Sequence, residues 1–291
     1  MNQIFCKFTG DDPAVQKEAV DLLARCFEVW AERKITFKGK FPFREFSFVA
    51  RNQAGQVVGH LGIIPFEMKN CSGETLKMAG VASVAVAPEC RKHGIAGMLC
   101  KSAVGWAEKN DFDAMPLYTS ACRVYEKNGW QIFPSGAIFL QSPVPSSDSG
   151  NWKPNDLLSD EEKEFIIKCY DSAPTLTGQV VRTMDAYDAM SWQRLFSKPG
   201  FRWQLNDSGY ILSVDNVICE CCNFAGVPSG NDQAFLSRHD PECQKFLDVR
   251  WSEKSEVGAT PPCWDGETVM MKILPEKSLP EDIFFPLAHK F

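Results

Sequence analysis

The stretch that decides the fold is residues 81–99, VASVAVAPECRKHGIAGML. Its first part, residues 81–87, is apolar and rich in valine, which predicts a buried strand that ends at Pro88. A short basic turn with Gly94 follows, and apolar residues then recur at helical spacing over residues 95–106. A strand, a tight turn and a helix in this order favour anion binding, because the free N–H groups and the dipole of the helix converge on the turn.

The turn also carries the residue types that a phosphate group needs. Arg91, Lys92 and His93 supply cationic donors, and Gly94 lets the backbone approach an anion without a side chain in the way. The turn matches neither G-x-x-x-x-G-K-[ST] nor G-x-G-x-x-G, so it is neither a Walker loop nor a dinucleotide fingerprint. The alternative is an incidental basic turn between a buried strand and an amphipathic helix.

A second strand and helix follow about one helix length later. Residues 114–121 predict the strand, and residues 122–129 predict a short helix that ends at an Asn-Gly pair. The pattern R-x-x-G-x-A starts at Arg91, and Y-x-x-x-G-[FWY] starts at Tyr125. These two motifs resemble those of the GCN5-related N-acetyltransferases (the GNAT superfamily). The block 44–140 resembles the N-terminal domain of the Eis-type (enhanced intracellular survival) acetyltransferases.

The resemblance implies an α+β fold in which helices flank a central mixed sheet. Residues 1–141 are then the acetyltransferase domain that binds acetyl-CoA. Residues 142–152 are a linker rich in proline and serine, and residues 153–291 form a second, degenerate acetyltransferase-like α+β domain with a substrate or structural role. A capping box at Ser159 and Glu162 predicts the first helix of this second domain.

Further elements of the second domain follow from its periodicity. A helix is predicted over residues 185–196 and a final strand over residues 268–274. Cys219, Cys221 and Cys222 fall on a predicted strand, whose alternation would put Cys219 and Cys221 on one face. Because structural zinc sites use paired C-x(2–4)-C ligands, we interpret these cysteines as buried, inert thiols and expect no metal.

Charge and hydropathy exclude several classes of function. The formal net charge is −6, divided into +3 over residues 1–140 and −9 over residues 141–291, and this acidic balance argues against general nucleic-acid binding. The chain has no apolar run of membrane-spanning length and no signal-peptide pattern at its N-terminus. We therefore expect a cytoplasmic protein that does not bind a membrane, and we leave open whether it forms a homo-oligomer.

The resemblance also implies roles for individual residues. The backbone N–H of Val84 would bind the thioester carbonyl oxygen, and Tyr125 would be the general acid that protonates the leaving thiolate. The general base is open: His60 is a candidate because histidine titrates in the useful range, and Glu45 and Glu67 are weaker candidates. In Eis-type enzymes, the C-terminal carboxylate of a third, sterol-carrier-like domain is thought to be the base.

The residues implied to bind the cofactor form three groups: a strand that pairs with the pantetheine arm, the turn around the pyrophosphate, and the end of the second strand. They are Val84, Ala85, Val86, Arg91, Lys92, His93, Gly94, Ile95, Ala96, Ser120 and Ala121. Ala121 and Cys122 depart from the acidic residue and glycine of the Eis-type pattern, which predicts altered amine recognition. Too few residues follow the second domain for a full third one, so whether Phe291 supplies the base is open.

Three functions fit these features. The favoured one is an acetyl-CoA-dependent N-acetyltransferase acting on a small-molecule or peptidyl amine, because the basic turn and Tyr125 are both present. The others are an acyltransferase for longer chains or for oxygen acceptors, and a degenerate CoA-binding sensor or interaction module. Phe37, Phe41 and Phe43 would line an acceptor pocket or belong to the core.

Overall fold

The computed structural model describes residues 5–10, 12–27, 46–133, 137–142, 151–185, 188–214, 216–226, 233–237, 240–248, 251–253, 267–280 and 283. Its first half contains β1 (Phe5–Gly10), α1 (Pro13–Cys26), β2 (Phe46–Arg51), β3 (Val57–Lys69), β4 (Thr75–Val86), α2 (Ile95–Lys109), β5 (Ala114–Thr119), α3 (Cys122–Glu126), β6 (Gln131–Ile132) and β7 (Ala137–Gln141). The second half contains β8 (Lys153–Pro154), α4 (Asp160–Ser172), β9 (Gln179–Val180), α5 (Trp192–Ser197), β10 (Phe201–Leu205), β11 (Tyr210–Val214), β12 (Val217–Cys222), β13 (Gln233–Ser237), α6 (Pro241–Asp248), β14 (Ser252–Glu253) and β15 (Thr268–Ile273).

Two mixed sheets form the frame, which confirms the predicted α+β class. The first has the order β1-β2-β3-β4-β5-β15-β6, and β9 also pairs with β3. The second has the order β14-β7-β13-β12-β11-β10-β8. One buried hydrophobic cluster runs through both sheets, and a second lies against the strands of the second sheet only. The two sheets therefore share a continuous core.

The strands do not follow the predicted domain boundary at residues 142–152. Strand β7 precedes that boundary but pairs with β13 and β14 in the second sheet. Strand β15 comes near the end of the chain but pairs along its whole length with β5, from Thr268↔Thr119 to Ile273↔Ala114, in the first sheet. The reason is that strand pairing is chosen by fit along an exposed edge, which sequence proximity does not reveal. Division into two folding units stays a prediction.

Helix starts in the second half depend on serine caps. The capping box is present: Ser159 Oγ accepts from the backbone N–H of Glu162, and the Glu162 side chain accepts from the N–H of Ser159. The helix predicted over residues 185–196 begins later, since α5 starts after Ser191, whose Oγ accepts from the Arg194 N–H. Before it, the Asp188 carboxylate accepts the Met190 N–H and holds a turn instead.

The prediction for the cysteine strand was wrong about its faces. The β11–β12 register shifts between Leu212↔Glu220 and Ser213↔Ile218, so Cys219 is an extra residue in a β-bulge. The bulge reverses the alternation, and Cys219 packs in the core shared by both sheets while Cys221 packs in the second cluster. All three cysteines are buried, and burial raises the pKa of the Cys221 and Cys222 thiols well above its usual range.

A buried ion pair joins the segment before α5 to β12. The Arg182 guanidinium is only 1% exposed and donates to both carboxylate oxygens of Glu220, one of them at 3.0 Å. It also lies 3.9 Å from the ring centroid of Tyr170 and 4.4 Å from that of Trp192. A fully paired and stacked guanidinium suits a buried site, where an unpaired charge would cost several kcal/mol.

Helix α2 lies against β3 at a glycine. A Cβ at Gly59 would lie 2.8 Å from Cγ2 of Ile95 and 3.1 Å from Cδ1 of Leu99, both buried side chains of α2. Only a residue without a side chain lets the helix approach this closely, so Gly59 sets the position of the N-terminal end of α2.

Gly59→Ala should destabilise the fold by about 1–3 kcal/mol, because α2 must shift to relieve the overlap. Gly105→Ala is the matched control in α2 itself: nothing lies within 4 Å of a Cβ there. Gly105→Ala should raise the free energy of unfolding by at most about 1 kcal/mol, because alanine has a higher helix propensity than glycine. Urea unfolding of both variants measures the two changes in the free energy of unfolding. Changes of equal size in the same direction would contradict the assigned role of Gly59.

Candidate active site

Strands β4 and β5 are parallel neighbours that part from each other. Among the described residues, their ladder consists of the single pair Met78↔Ala114, although β4 continues to Val86 and β5 to Thr119. On its other side, β4 stays paired with β3 from Lys69↔Thr75 to Gly59↔Val86. Beyond Met78↔Ala114 the described residues of β4 and β5 form no further ladder, and we call the space between these two strand edges the opening, because an extended ligand can pair with the β4 edge there.

The opening leads to the basic turn. A single 3₁₀ turn, Pro88–Cys90, ends β4 and directs the chain toward α2. Residues 91–94 are all exposed, and the Arg91 Nε–H donates to the Val86 carbonyl at 3.2 Å. Lys92 has φ +66° and Gly94 has φ +77°, so the turn has two left-handed residues, and glycine occupies the second.

The start of α2 fits an anion. Gly94 is the N-cap and offers no side chain to the helix, so the N–H groups of the first turn have no side-chain cap there. A Cβ at Gly94 would meet nothing within 4 Å, which means that the space in front of the turn is open. Free N–H groups, the helix dipole and the cations of the turn make a donor set that fits a pyrophosphate.

A β-bulge interrupts β4 within the opening. Its register against β3 runs from Gly62↔Ala82 to His60↔Ala85, so Ser83 and Val84 together lie opposite one residue. Ser83 has φ +53°, a left-handed conformation that a residue with a side chain rarely adopts. Val84, whose N–H the sequence analysis singled out, is thus part of an irregularity that changes the direction of the backbone groups.

Tyr125 lies on α3, immediately after β5, and its side chain is 8% exposed. Its ring packs edge-on against Trp130 with 6.1 Å between centroids, and the Trp130 indole N–H donates to the Met115 carbonyl at 2.7 Å. Burial, together with the nearby Cys100 and Glu267, raises the pKa of Tyr125 above its usual value. The hydroxyl therefore holds its proton at neutral pH, as a general acid must.

The end of β5 forms the other wall of the opening. Ser120 and Ala121 are exposed there, and Thr119 Oγ1 accepts the Ala121 N–H at 2.9 Å. Ala121 is the N-cap residue of α3 and makes no side-chain cap. The departures from the Eis-type pattern thus place small residues at the lip of the opening.

The structure argues against His60 as the general base. Its ring is fully buried on β3, and both nitrogens are engaged: Nδ1 with the Ser83 carbonyl at 2.8 Å, and Nε2 with Ser47 Oγ at 3.1 Å. Burial lowers the pKa of His60 to about 4. A base needs a free nitrogen within reach of the substrate, and this imidazole is used inside the sheet instead.

The weaker base candidates lie elsewhere. Glu67 pairs with Lys77 across β3 and β4, before the point where β4 and β5 part. It lines a cavity of about 480 Å³ that also contacts Trp106 and Asn110 at the C-terminal end of α2. Glu67 was therefore a wrong choice, since the basic turn is at the opposite end of that helix. Glu45, Phe37, Phe41, Phe43 and Phe291 lie outside the described residues.

Strand β15 brings two charged residues to the site that sequence reasoning missed. Glu267 directly precedes the pair Thr268↔Thr119, and its charge contributes to the raised pKa of Tyr125. Lys272 donates to the Asn128 carbonyl at 3.3 Å. No local motif marks these residues, because their position depends on a strand pairing across about half of the chain.

The comparisons with known proteins agree with this geometry. Residues 14–133 match the family model described as an acetyltransferase (GNAT) domain. Solved structures with the same fold include a GCN5-related N-acetyltransferase from Kribbella flavida, at 13% identity and a TM-score of 0.57, where the match covers 94% of this chain and 71% of the other. Eis1 from Mycobacterium abscessus matches at 14% identity and a TM-score of 0.57, and the match covers 93% of this chain and 73% of the other. No curated protein matched the sequence.

A structure from Enterococcus faecalis, a probable N-acyltransferase, matches at 15% identity and a TM-score of 0.58, covering 94% of this chain and 73% of the other. Both sheets lie within these matches, so the neighbours share the fold of nearly the whole chain. Residues 14–133 are therefore similar to a GNAT acetyltransferase domain, and the chain shares the fold of these solved structures. In the described part of the chain, no helix has the length and apolarity needed to cross a membrane.

The buried imidazole makes stability depend on pH. The pKa of His60 is about 4 in the folded protein and about 6.5 in an unfolded chain, so the unfolded state binds more protons between these values. Its contribution to stability is complete above pH 6.5 and falls as the pH falls toward 4. Between pH 7.5 and pH 5, wild type should lose about 2 kcal/mol more than His60→Asn, which has no imidazole. Urea unfolding at both pH values measures the difference; identical losses would contradict a buried neutral His60.

Proposed function

We propose that this protein is an acetyl-CoA-dependent N-acetyltransferase that transfers an acetyl group to a primary amine by direct attack. The observation that carries the proposal is the opening between β4 and β5, which ends at the basic turn and the uncapped start of α2. In this proposal Tyr125, whose raised pKa keeps its proton in place, faces the same opening. An extended thiol cofactor with a pyrophosphate at one end fits this shape and donor set.

Each part of the site has a task in this proposal. The turn over residues 91–94 and the first N–H groups of α2, at Ile95 and Ala96, hold the pyrophosphate. Backbone groups of Val84, Ala85 and Val86 pair with the pantetheine arm from one side, and Ser120 and Ala121 contact it from the other. Acetyl-CoA supplies an activated carbonyl and a good leaving group.

The Val84 N–H stabilises the negative charge that develops on the carbonyl oxygen as the amine attacks. Tyr125 then gives its proton to the departing sulfur, so that a neutral thiol leaves. Glu267 is placed to keep that proton on the tyrosine, because a nearby carboxylate disfavours a phenolate. In this scheme the amine loses its proton to a water molecule.

The cofactor site is tested by a charge placed at its centre. Gly94→Glu should abolish the rise in thermal stability that acetyl-CoA causes in wild type, since a carboxylate in the turn repels the pyrophosphate. Gly73→Glu is the matched control, because Gly73 has a similar φ of +82°, open space around it and a position in the β3–β4 turn. A stabilisation that survives in Gly94→Glu, or disappears in both, would contradict this site.

Tyr125→Phe tests the general acid. The ring stays packed on Trp130, so acetyl-CoA should bind as in wild type, while turnover with reactive primary amines should fall by about 10²-fold. Loss of the thioester absorbance is the suitable readout, because exposed cysteines such as Cys71 would react with thiol reagents. Unchanged turnover would remove Tyr125 from the mechanism. Tight acetyl-CoA binding without turnover in wild type would favour the CoA-binding sensor.

A further inference from the structure

We propose that His60 is a positioning residue that aims the Val84 N–H at the thioester carbonyl through a single peptide group. The inference rests on the proposed function, and it assigns to the buried histidine a task other than proton transfer. Three observations carry it: the β4 bulge, the left-handed Ser83, and the hydrogen bond between the imidazole and the Ser83 carbonyl.

The hydrogen bonds of the His60 ring determine its tautomer. Ser83 O can only accept, and it lies 2.8 Å from His60 Nδ1, so Nδ1 carries the hydrogen. In a neutral imidazole Nε2 is then an acceptor, and the Ser47 hydroxyl, 3.1 Å away, can donate to it. Ser47 is itself fully buried on β2. Ser47 and Ser83 thus fix the His60 ring in one orientation within the sheet.

The second step is the peptide plane. Ser83 C=O and Val84 N–H belong to the same peptide group, which is trans and planar, so the two bonds point in opposite directions. Holding the carbonyl toward His60 therefore turns the Val84 N–H away from His60. Strand β4 lies between β3, which carries His60, and β5, so this direction leads toward the opening.

The third step is the cost of the conformation. Ser83 at φ +53° has a left-handed conformation that is disfavoured relative to ordinary strand geometry. The hydrogen bond from the neutral imidazole, in a partly buried place, offsets this cost. Without the imidazole donor the peptide is free to rotate back into the regular ladder, which would remove the N–H from the opening.

Two substitutions separate the two ends of the ring. In His60→Asn the amide nitrogen occupies the place of Nδ1 and can still donate to Ser83 O. In His60→Gln the amide lies where Nε2 was and reaches Ser47 instead. Both variants lose the ring and keep one of its two hydrogen bonds, so their stability losses should be similar, and only His60→Asn keeps the bond to the Ser83 carbonyl.

The readout is the preference for acetyl-CoA over CoA, because only acetyl-CoA has the carbonyl that the Val84 N–H would bind. Calorimetric titration of both compounds gives two affinities for each protein. We expect wild type and His60→Asn to favour acetyl-CoA, and His60→Gln to lose about three- to tenfold of that preference while CoA affinity stays the same. Loss of preference in both variants, or in neither, would overturn the assignment.

A second test uses only the wild-type protein, so it does not depend on the folding of a variant. The ¹⁵N resonance of His60 Nδ1 should move when acetyl-CoA binds and move less with CoA, because a bond at the Val84 N–H polarises the same peptide group. Equal changes with both compounds would contradict the coupling. If wild type binds neither compound, the proposed function fails and this inference falls with it; binding of both with no difference between the variants refutes this inference alone.

Discussion

The site depends on one constraint in the first sheet: β4 must stay joined to β3 while it leaves β5. The parallel ladder to β5 consists of Met78↔Ala114 among the described residues, whereas the antiparallel ladder to β3 runs on to Gly59↔Val86. A strand edge that stays unpaired inside a protein needs another partner for its N–H and C=O groups. In the proposed function the amide-containing arm of the cofactor supplies that partner, and its pyrophosphate lies at the basic turn.

The insertion of β15 between β5 and β6 has a second consequence. A strand from the end of the chain completes the sheet that holds the site, and the hydrophobic core is continuous between the two sheets. Strand pairings across such a long sequence separation form late and slowly, because the entropy of closing the loop is lost before the stabilising contacts form. The second half of the chain therefore contributes a strand to the sheet that holds the proposed site.

Local signals in the sequence were sufficient for the strand, turn and helix of the proposed cofactor site, and insufficient for the way they are assembled into sheets. The strand-turn-helix around Gly94 could be predicted because a proline stop, a glycine and helical periodicity lie within 19 residues. The faces of Cys219 and Cys221 could not, because a bulge adds one residue to β12 without a sequence signal. The burial of His60 depends likewise on Ser47 and Ser83, which belong to two other strands.

The two titratable groups nearest the proposed reaction are both held neutral by burial. The pKa of His60 is lowered and that of Tyr125 is raised, so neither group changes charge near pH 7. A neutral imidazole can orient a peptide group without adding charge beside the thioester, and a neutral phenol can deliver a proton to sulfur. In the proposed mechanism, charge is thus stabilised by dipoles and fixed donors. The pH dependence of turnover must then arise from the amine and from whatever accepts its proton, which separates acceptor chemistry from the part of the machinery that activates the thioester.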